Sequence, residues 1–238
     1  MAGFKTHITV SGVLGVAYGG TAHAFFDVPL PACVLAGGLC GVSGMLPDLD
    51  SDSGVPLRES IAFAAAVVPM MMVPRFERLG MAPESIVLAA ALIYLLVRFP
   101  LARFLRRYTV HRGMFHSIPA ALIAGEVAFL VCESSDLPIR YFKAGAVVLG
   151  FMSHLLLDEL YSIEWYRGRM RFKKSFGTAV KLWGDNNWAN LSTYLKLGLL
   201  TFVVANDPMW MHSVIEHLEP SGRQIERVAD QVLSGMLR

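Results

Sequence analysis

Apolar residues run in blocks along the chain, at about 8–26, 30–46, 60–74, 85–99, 117–132 and 141–158, with a weaker block at about 194–206. Several are shorter than the ~20 residues that a perpendicular membrane span needs. They therefore read as a mixture of tilted spans and helices packed inside a helical core. Gly15 and Gly19, and again Gly37 and Gly41, recur at the small-xxx-small spacing that lets helices approach closely. The expected fold is all-α, a multi-pass membrane helical bundle. Residues 1–206 form its embedded domain, and 207–238 form an amphipathic helical tail. In that tail SGRQ at Ser221 has a capping-box pattern, and Ile225, Val228, Ala229, Val232, Leu233 and Met236 follow at helical spacing.

Composition supports a membrane protein. The 238 residues are 54% hydrophobic and only 17% charged, with a mean hydropathy of +0.48, too apolar for an ordinary soluble domain. The formal charge of +2 is gathered in a few loops, so no nucleic-acid partner is expected. Cys33, Cys40 and Cys132 form no CxxC pair and lie in apolar runs, which reads as small buried residues and no disulfide framework. Lys5, the apolar run from Ile8 and the triplet Ala22-His23-Ala24 imitate a signal peptide. Gly12 and Gly15 interrupt the run and another apolar block follows almost at once, so an uncleaved first helix that retains His7 is expected.

Basic residues suggest an orientation. Arg98, Arg103, Arg106, Arg107 and Arg112 follow the fourth block, and Arg167, Arg169, Arg171, Lys173, Lys174 and Lys181 follow the sixth. The positive-inside rule puts both loops in the cytoplasm, while Arg75 and Arg78 argue weakly the other way. Counting outward, His7, the 47–59 loop, His111, His116 and Asp158 all reach that same side. From Trp165 to Asn190, within a basic segment at 159–193, aromatic and basic residues interleave. Such a mixture suits the lipid headgroup region or a solvated loop with aromatic anchors.

Candidate chemistry lies at the block ends. His154 and Asp158, four apart in GFMSHLLLDE, share one helix face. In an apolar segment each needs a partner, and a shared divalent metal would be one; a core histidine and a capping aspartate are the plainer alternative. HRGMFHS holds His111 and His116, with Ser117 placed to cap the next helix and Pro119 tolerated in its first turn. PDLDSDSG carries Asp48, Asp50 and Asp52, which suit metal binding, support of a histidine, or base chemistry. A calcium loop starting at Asp48 would place Glu59 at position 12. It requires glycine where Ser53 stands, and Pro56 follows. His212 and Glu216 are read as surface residues.

The ordered set His7, PDLD, HRGMFHS and GFMSHLLLDE resembles the YdjM-like family of inner-membrane, metal-dependent hydrolases, over about residues 1–160. Through the His-xxx-Asp pair that family is distantly similar to the zinc-dependent phospholipase C and P1 nuclease group, whose last His-xxx-Glu pair has no convincing counterpart here. The resemblance implies metal-ligand roles for His7, Asp48 or Asp50, His111, His116, His154 and Asp158. The metal, most simply Zn2+, would sit at the cytoplasmic helix ends. The expected activity is hydrolysis of a phosphoester on a membrane lipid or lipid-linked phosphate. Asp50 would orient or deprotonate water and Arg112 would hold a phosphate oxygen. The alternative is a non-catalytic membrane protein that holds a structural ion.

Overall fold

The structure is a computed structural model that describes residues 2–50, 54–108, 114–134, 136–166, 169–172, 177 and 180–214, with the backbone alone at 50, 106–108, 164–166 and 169–172. The proposed tail helix from Ser221 lies outside these residues. Each apolar block forms a helix: α1 (Phe4–Phe26), α2 (Leu30–Ser43), α3 (Val55–Arg78), α4 (Pro83–Leu96), α6 (Ile118–Val131), α7 (Leu137–Leu160) and α8 (Asn187–Ala205). A 3-10 turn, Leu46–Asp50, follows α2, and a π-helical turn, Val97–Leu101, joins α4 to α5 (Ala102–Tyr108).

Helix boundaries follow from a few residues. Proline falls in the first turn of α2, α3, α4, α6 and α7, where its missing N–H removes no helical bond and its fixed φ favours the helix. Ser117 caps α6 as expected, its hydroxyl accepting from the Ala120 N–H at 3.3 Å. At the end of α1, Asp27 turns the chain through the left-handed region at φ 53°, a conformation that short polar side chains tolerate better than most. α3 continues through Pro69 and Pro74, and so runs past the end of the apolar block at both sides.

Three helices organise the core. α1 packs along α2, and α7 packs against both. A Cβ added at Gly15 would come within 2.5 Å of the Gly37 carbonyl oxygen, and one at Gly150 would run into the Cys40 carbonyl. Only glycine permits backbones this close. Ser11 adds a cross-link, its hydroxyl donating to the Gly41 carbonyl at 2.8 Å. Ala36, Cys40 and Ala146 fill one centre; Ala121, Phe151 and Leu155 fill a second between α6 and α7. Cys33, Cys40 and Cys132 are buried and free, as their apolar setting suggests.

The outward faces are apolar. Val87, Leu88, Leu195 and Leu199 are exposed on α4 and α8, on a scale that in a soluble protein would demand a partner surface. Among the described residues three stretches are long and apolar enough to cross a membrane, Val55–Arg78, Pro83–Leu105 and Asn187–Ala205. α2 and α6 are apolar but shorter.

Among the described residues the one departure from helix is an antiparallel hairpin, β1 (Ile163–Tyr166) with β2 (Arg169–Phe172), which pairs Glu164 with Arg171 and Trp165 with Met170. Strands of four residues are too short for a period-2 pattern to stand out from an aromatic and basic loop. The contacts divide the chain into residues 1–200 and a smaller unit from Thr201. Within the latter, the Asp207 carboxylate accepts from the Met209 N–H at 3.1 Å and caps a turn of helix over 208–214.

Candidate metal centre

Four separate stretches deliver polar side chains to one buried place. α1 brings His7 in its first turn, the 3-10 turn brings Asp48, the segment before α6 brings His116, and α7 brings His154 and Asp158. His7, His116, His154 and Asp158 are all no more than 3% exposed. The i, i+4 spacing on α7 puts His154 Nε2 at 3.6 Å from an Asp158 oxygen. His7 Nε2 stands 3.3 Å from the other oxygen of the same carboxylate. Asp48 lies 3.6 Å from His154 Nε2 and 3.5 Å from His116 Nε2. The His7 and His154 rings stack with centroids 3.6 Å apart and planes 14° from parallel.

Two overlapping triads result: His7, His154 and Asp158; and Asp48, His116 and His154. In each, one ligand atom per residue lies within 4.8 Å of the others. His154 belongs to both. Its Nδ1 lies 2.7 Å from the Gly44 carbonyl, which fixes that nitrogen as the N–H donor and leaves Nε2 with a lone pair turned toward the carboxylates. The close contact of Gly44 with Ser11 and of Gly150 with Cys40 holds this carbonyl against α7. Asp158 also accepts from the Ala2 N–H at 3.0 Å.

These residues fit a divalent cation by two tests. The first is bonding: His7 Nε2, His116 Nε2, His154 Nε2 and Asp158 Oδ2 are buried and make no hydrogen bond. Leaving so many polar atoms unsatisfied in one place is costly. The second is spacing. Two atoms bound about 2.0–2.1 Å from one tetrahedral ion stand about 3.3–3.4 Å apart, and the imidazole–carboxylate separations lie between 3.3 Å and 3.6 Å. Burial pushes the Asp48 carboxyl up, but the nearby imidazoles of His116, His154 and His7 outweigh it, so its pKa lies below the ordinary carboxylate value. Asp48 therefore stays ionised. Buried His and Asp groups here can hold a metal ion.

Of the residues singled out by sequence, His7, Asp48, His116, His154 and Asp158 come together. His111, Arg112 and the side chain of Asp50 lie outside the described residues. Of the calcium-loop positions, Asp48 faces the imidazoles and Glu59 lies on α3 paired with Arg58 at 2.8 Å, while Asp52 and Ser53 lie outside the described residues. His212 is exposed in the C-terminal unit, and Glu216 is outside the described residues. Two backbone groups, the Gly44 carbonyl and the Ala2 N–H, escaped the sequence reading because a main-chain donor or acceptor leaves no mark in residue type. A further support is Asn190, fully buried, which bonds the Gly184 backbone through both ends of its amide. With the bond from the Ile118 N–H to the Lys181 carbonyl at 3.0 Å, it ties the approach to α8 to the start of α6.

An apolar helical bundle with a buried His/Asp cluster defines a membrane protein with a candidate metal site. The family model described as YdjM inner membrane protein matches residues 1–178. The chain belongs to that family. No curated protein and no solved structure matches it.

Proposed function

We propose that this chain is a metal-dependent hydrolase of the cytoplasmic membrane that acts on a phosphoester of a membrane lipid or lipid-linked phosphate. The observation that carries the reading is the pair of triads sharing His154, with buried ligand atoms left unbonded and three imidazoles facing two carboxylates. Nitrogen and oxygen donors in this mixture suit zinc among the first-row divalent ions. When bound, such a cation polarises a phosphoryl oxygen and makes water nucleophilic near neutral pH.

The chain's own residues have distinct tasks in this reading. His154 is held by Gly44 so that Nε2 faces the centre, and Asp48 and Asp158 supply the negative charge that draws a cation into an apolar surround. Asp50 takes a proton from water and Arg112 grips a phosphate oxygen through its guanidinium fork. The chain crosses the membrane several times. The loops rich in arginine and lysine, and with them the site, face the cytoplasm.

The competing reading is a structural ion in a closed shell of protein ligands. Metal analysis of the purified protein, with phosphodiesterase and phosphomonoesterase assays before and after chelation, separates the two. Bound metal with chelator-sensitive hydrolysis supports the enzyme. Bound metal without hydrolysis of any phosphoester supports the structural ion, and a folded parent that binds no metal removes both. Cysteine labelling at Ser51 and Lys173 tests the orientation, since both positions are expected to react from the cytoplasmic side.

A further inference from the structure

A second site stands apart from the His/Asp cluster. Between the start of α3 and the turn from α4 into α5 lies a cavity of about 280 Å³, floored by the buried Leu57 and Ile61, walled by Phe99, and edged by Arg58, Arg98 and Arg103. Arg58 is paired with Glu59 at 2.8 Å. Among the described residues, three guanidinium groups around this apolar pocket thus answer to one carboxylate.

The backbone gives this arrangement a cause. Arg98 and Arg103 are five residues apart, and at about 100° per residue a regular helix would aim them about 140° apart. The π-helical turn Val97–Leu101, with Pro100 inside it, widens the winding just there, and both arginines line the same cavity. Single π turns of this kind recur at functional positions. Depth gives a second indication: Pro83–Leu105 is long and apolar enough to span, and none of its most apolar window is buried in the protein. Arg98 and Arg103 mark the last two turns of that stretch, the level at which lipid phosphates lie.

We propose that this cavity binds the phosphate headgroup of an anionic membrane lipid, with Arg98 and Arg103 on the phosphate and Leu57, Ile61 and Phe99 against the glycerol and upper acyl chain. Guanidinium forks match phosphate oxygens in pairs, and the apolar floor discriminates a lipid from a free ion. The inference does not depend on hydrolysis. It requires only a lipid surface and these residues.

The test uses the full chain in detergent micelles with chelator present, so that the His/Asp cluster contributes no metal-borne phosphate binding. Phosphatidylglycerol, phosphatidylcholine and inorganic phosphate are titrated separately, with bound lipid counted by native mass spectrometry. The expected order is phosphatidylglycerol well above phosphatidylcholine, with inorganic phosphate weaker than either. Arg98→Gln with Arg103→Gln should lower phosphatidylglycerol affinity at least about tenfold, whereas Lys196→Gln, an exposed charge on α8, should leave it unchanged. Circular dichroism reports whether each variant folds; if the double variant does not, Arg103→Gln alone at its exposed position should still weaken binding about threefold or more. Equal affinity for the two lipids overturns the proposal. So does parental affinity in the arginine variants, or inorganic phosphate competing as strongly as the lipid.

Discussion

Two polar clusters are embedded in this apolar bundle, and they treat charge in opposite ways. Near the start of α7, Glu133 is surrounded by arginines: Arg75 Nε at 2.7 Å, Arg78 on the other oxygen, and Arg140 at 3.9 Å. Arg140 is fully buried, donates to the Phe129 carbonyl at 3.2 Å and lies 4.1 Å over the Phe129 ring. At the other end of the same helix, about 21 Å away for the 14 residues from Arg140 to His154, carboxylates face imidazoles whose ligand atoms have no bond. The first cluster carries its own counter-charges. The second calls for one from outside. Polar groups in an apolar segment thus divide into those, like the Glu133 carboxylate, whose atoms meet counter-charges within the chain and those, like the His/Asp ligand atoms, that meet no hydrogen-bond partner, and the second kind points to a ligand. The pairing also gives Arg75 and Arg78, which spoke against the chosen orientation, a structural reason for their position.

This contrast can be broken at either end. The largest effect on stability is expected from Glu133→Ala, which strands buried arginine charge. Removing one partner of such a group costs about 3–5 kcal/mol, read by denaturation in detergent, and metal content per folded molecule should not change. A silent substitution would mean that the arginine cluster is not a structural tie. Next comes His154→Ala, which removes the one ligand common to both triads. Loss of supporting groups around a metal already costs 10–100-fold in affinity, so the direct ligand should cost at least about 100-fold, or about 2.7 kcal/mol. His212→Ala should match the parent, and if both variants load equally the His/Asp cluster is not a metal centre.

Gly150→Ala sharpens the comparison, because Gly150 lies between the two clusters on α7. A methyl there collides with the Cys40 carbonyl, and overpacking of this sort costs about 1–3 kcal/mol. It should weaken metal binding, by shifting the Gly44 carbonyl from His154. The smallest effect is the response to acid. Ligands must be free of protons to bind metal, so loading should fall as pH is lowered, while arginine charge does not titrate in that range. Asp48 has a depressed native pKa, so its stabilising contribution is complete above its unfolded value and disappears only as pH falls through the lowered one. Loading that stays unchanged as pH is lowered would contradict binding through groups that must be free of protons.

The apolar blocks made the helices legible because burial or lipid contact demands apolar runs of that length. Their ends were less so: α3 passes through Pro69 and Pro74, since tertiary packing can hold a helix across a missing bond. The hairpin after α7 left no pattern long enough to read. At the site, the i, i+4 relation of His154 and Asp158 is local and therefore visible. That Asp48 reaches the imidazoles is not, because it depends on how the turn after α2 meets α7. The glycine spacing on α1 and α2 announced a close approach, but not that Gly150 of a third helix would join it.

The position of His7 carries a consequence for how the protein is made. It lies in the first turn of the first helix, yet its neighbours in the cluster include Asp158, added 151 residues later. At translation rates of about 5–20 residues per second, that histidine waits roughly eight to thirty seconds before Asp158 exists. During that interval the nascent chain holds an uncommitted imidazole at one end of a helix already apolar enough to leave water. Completion of the cluster is therefore a late event in biogenesis, and a bound ion would mark a chain in which α1 and α7 have docked.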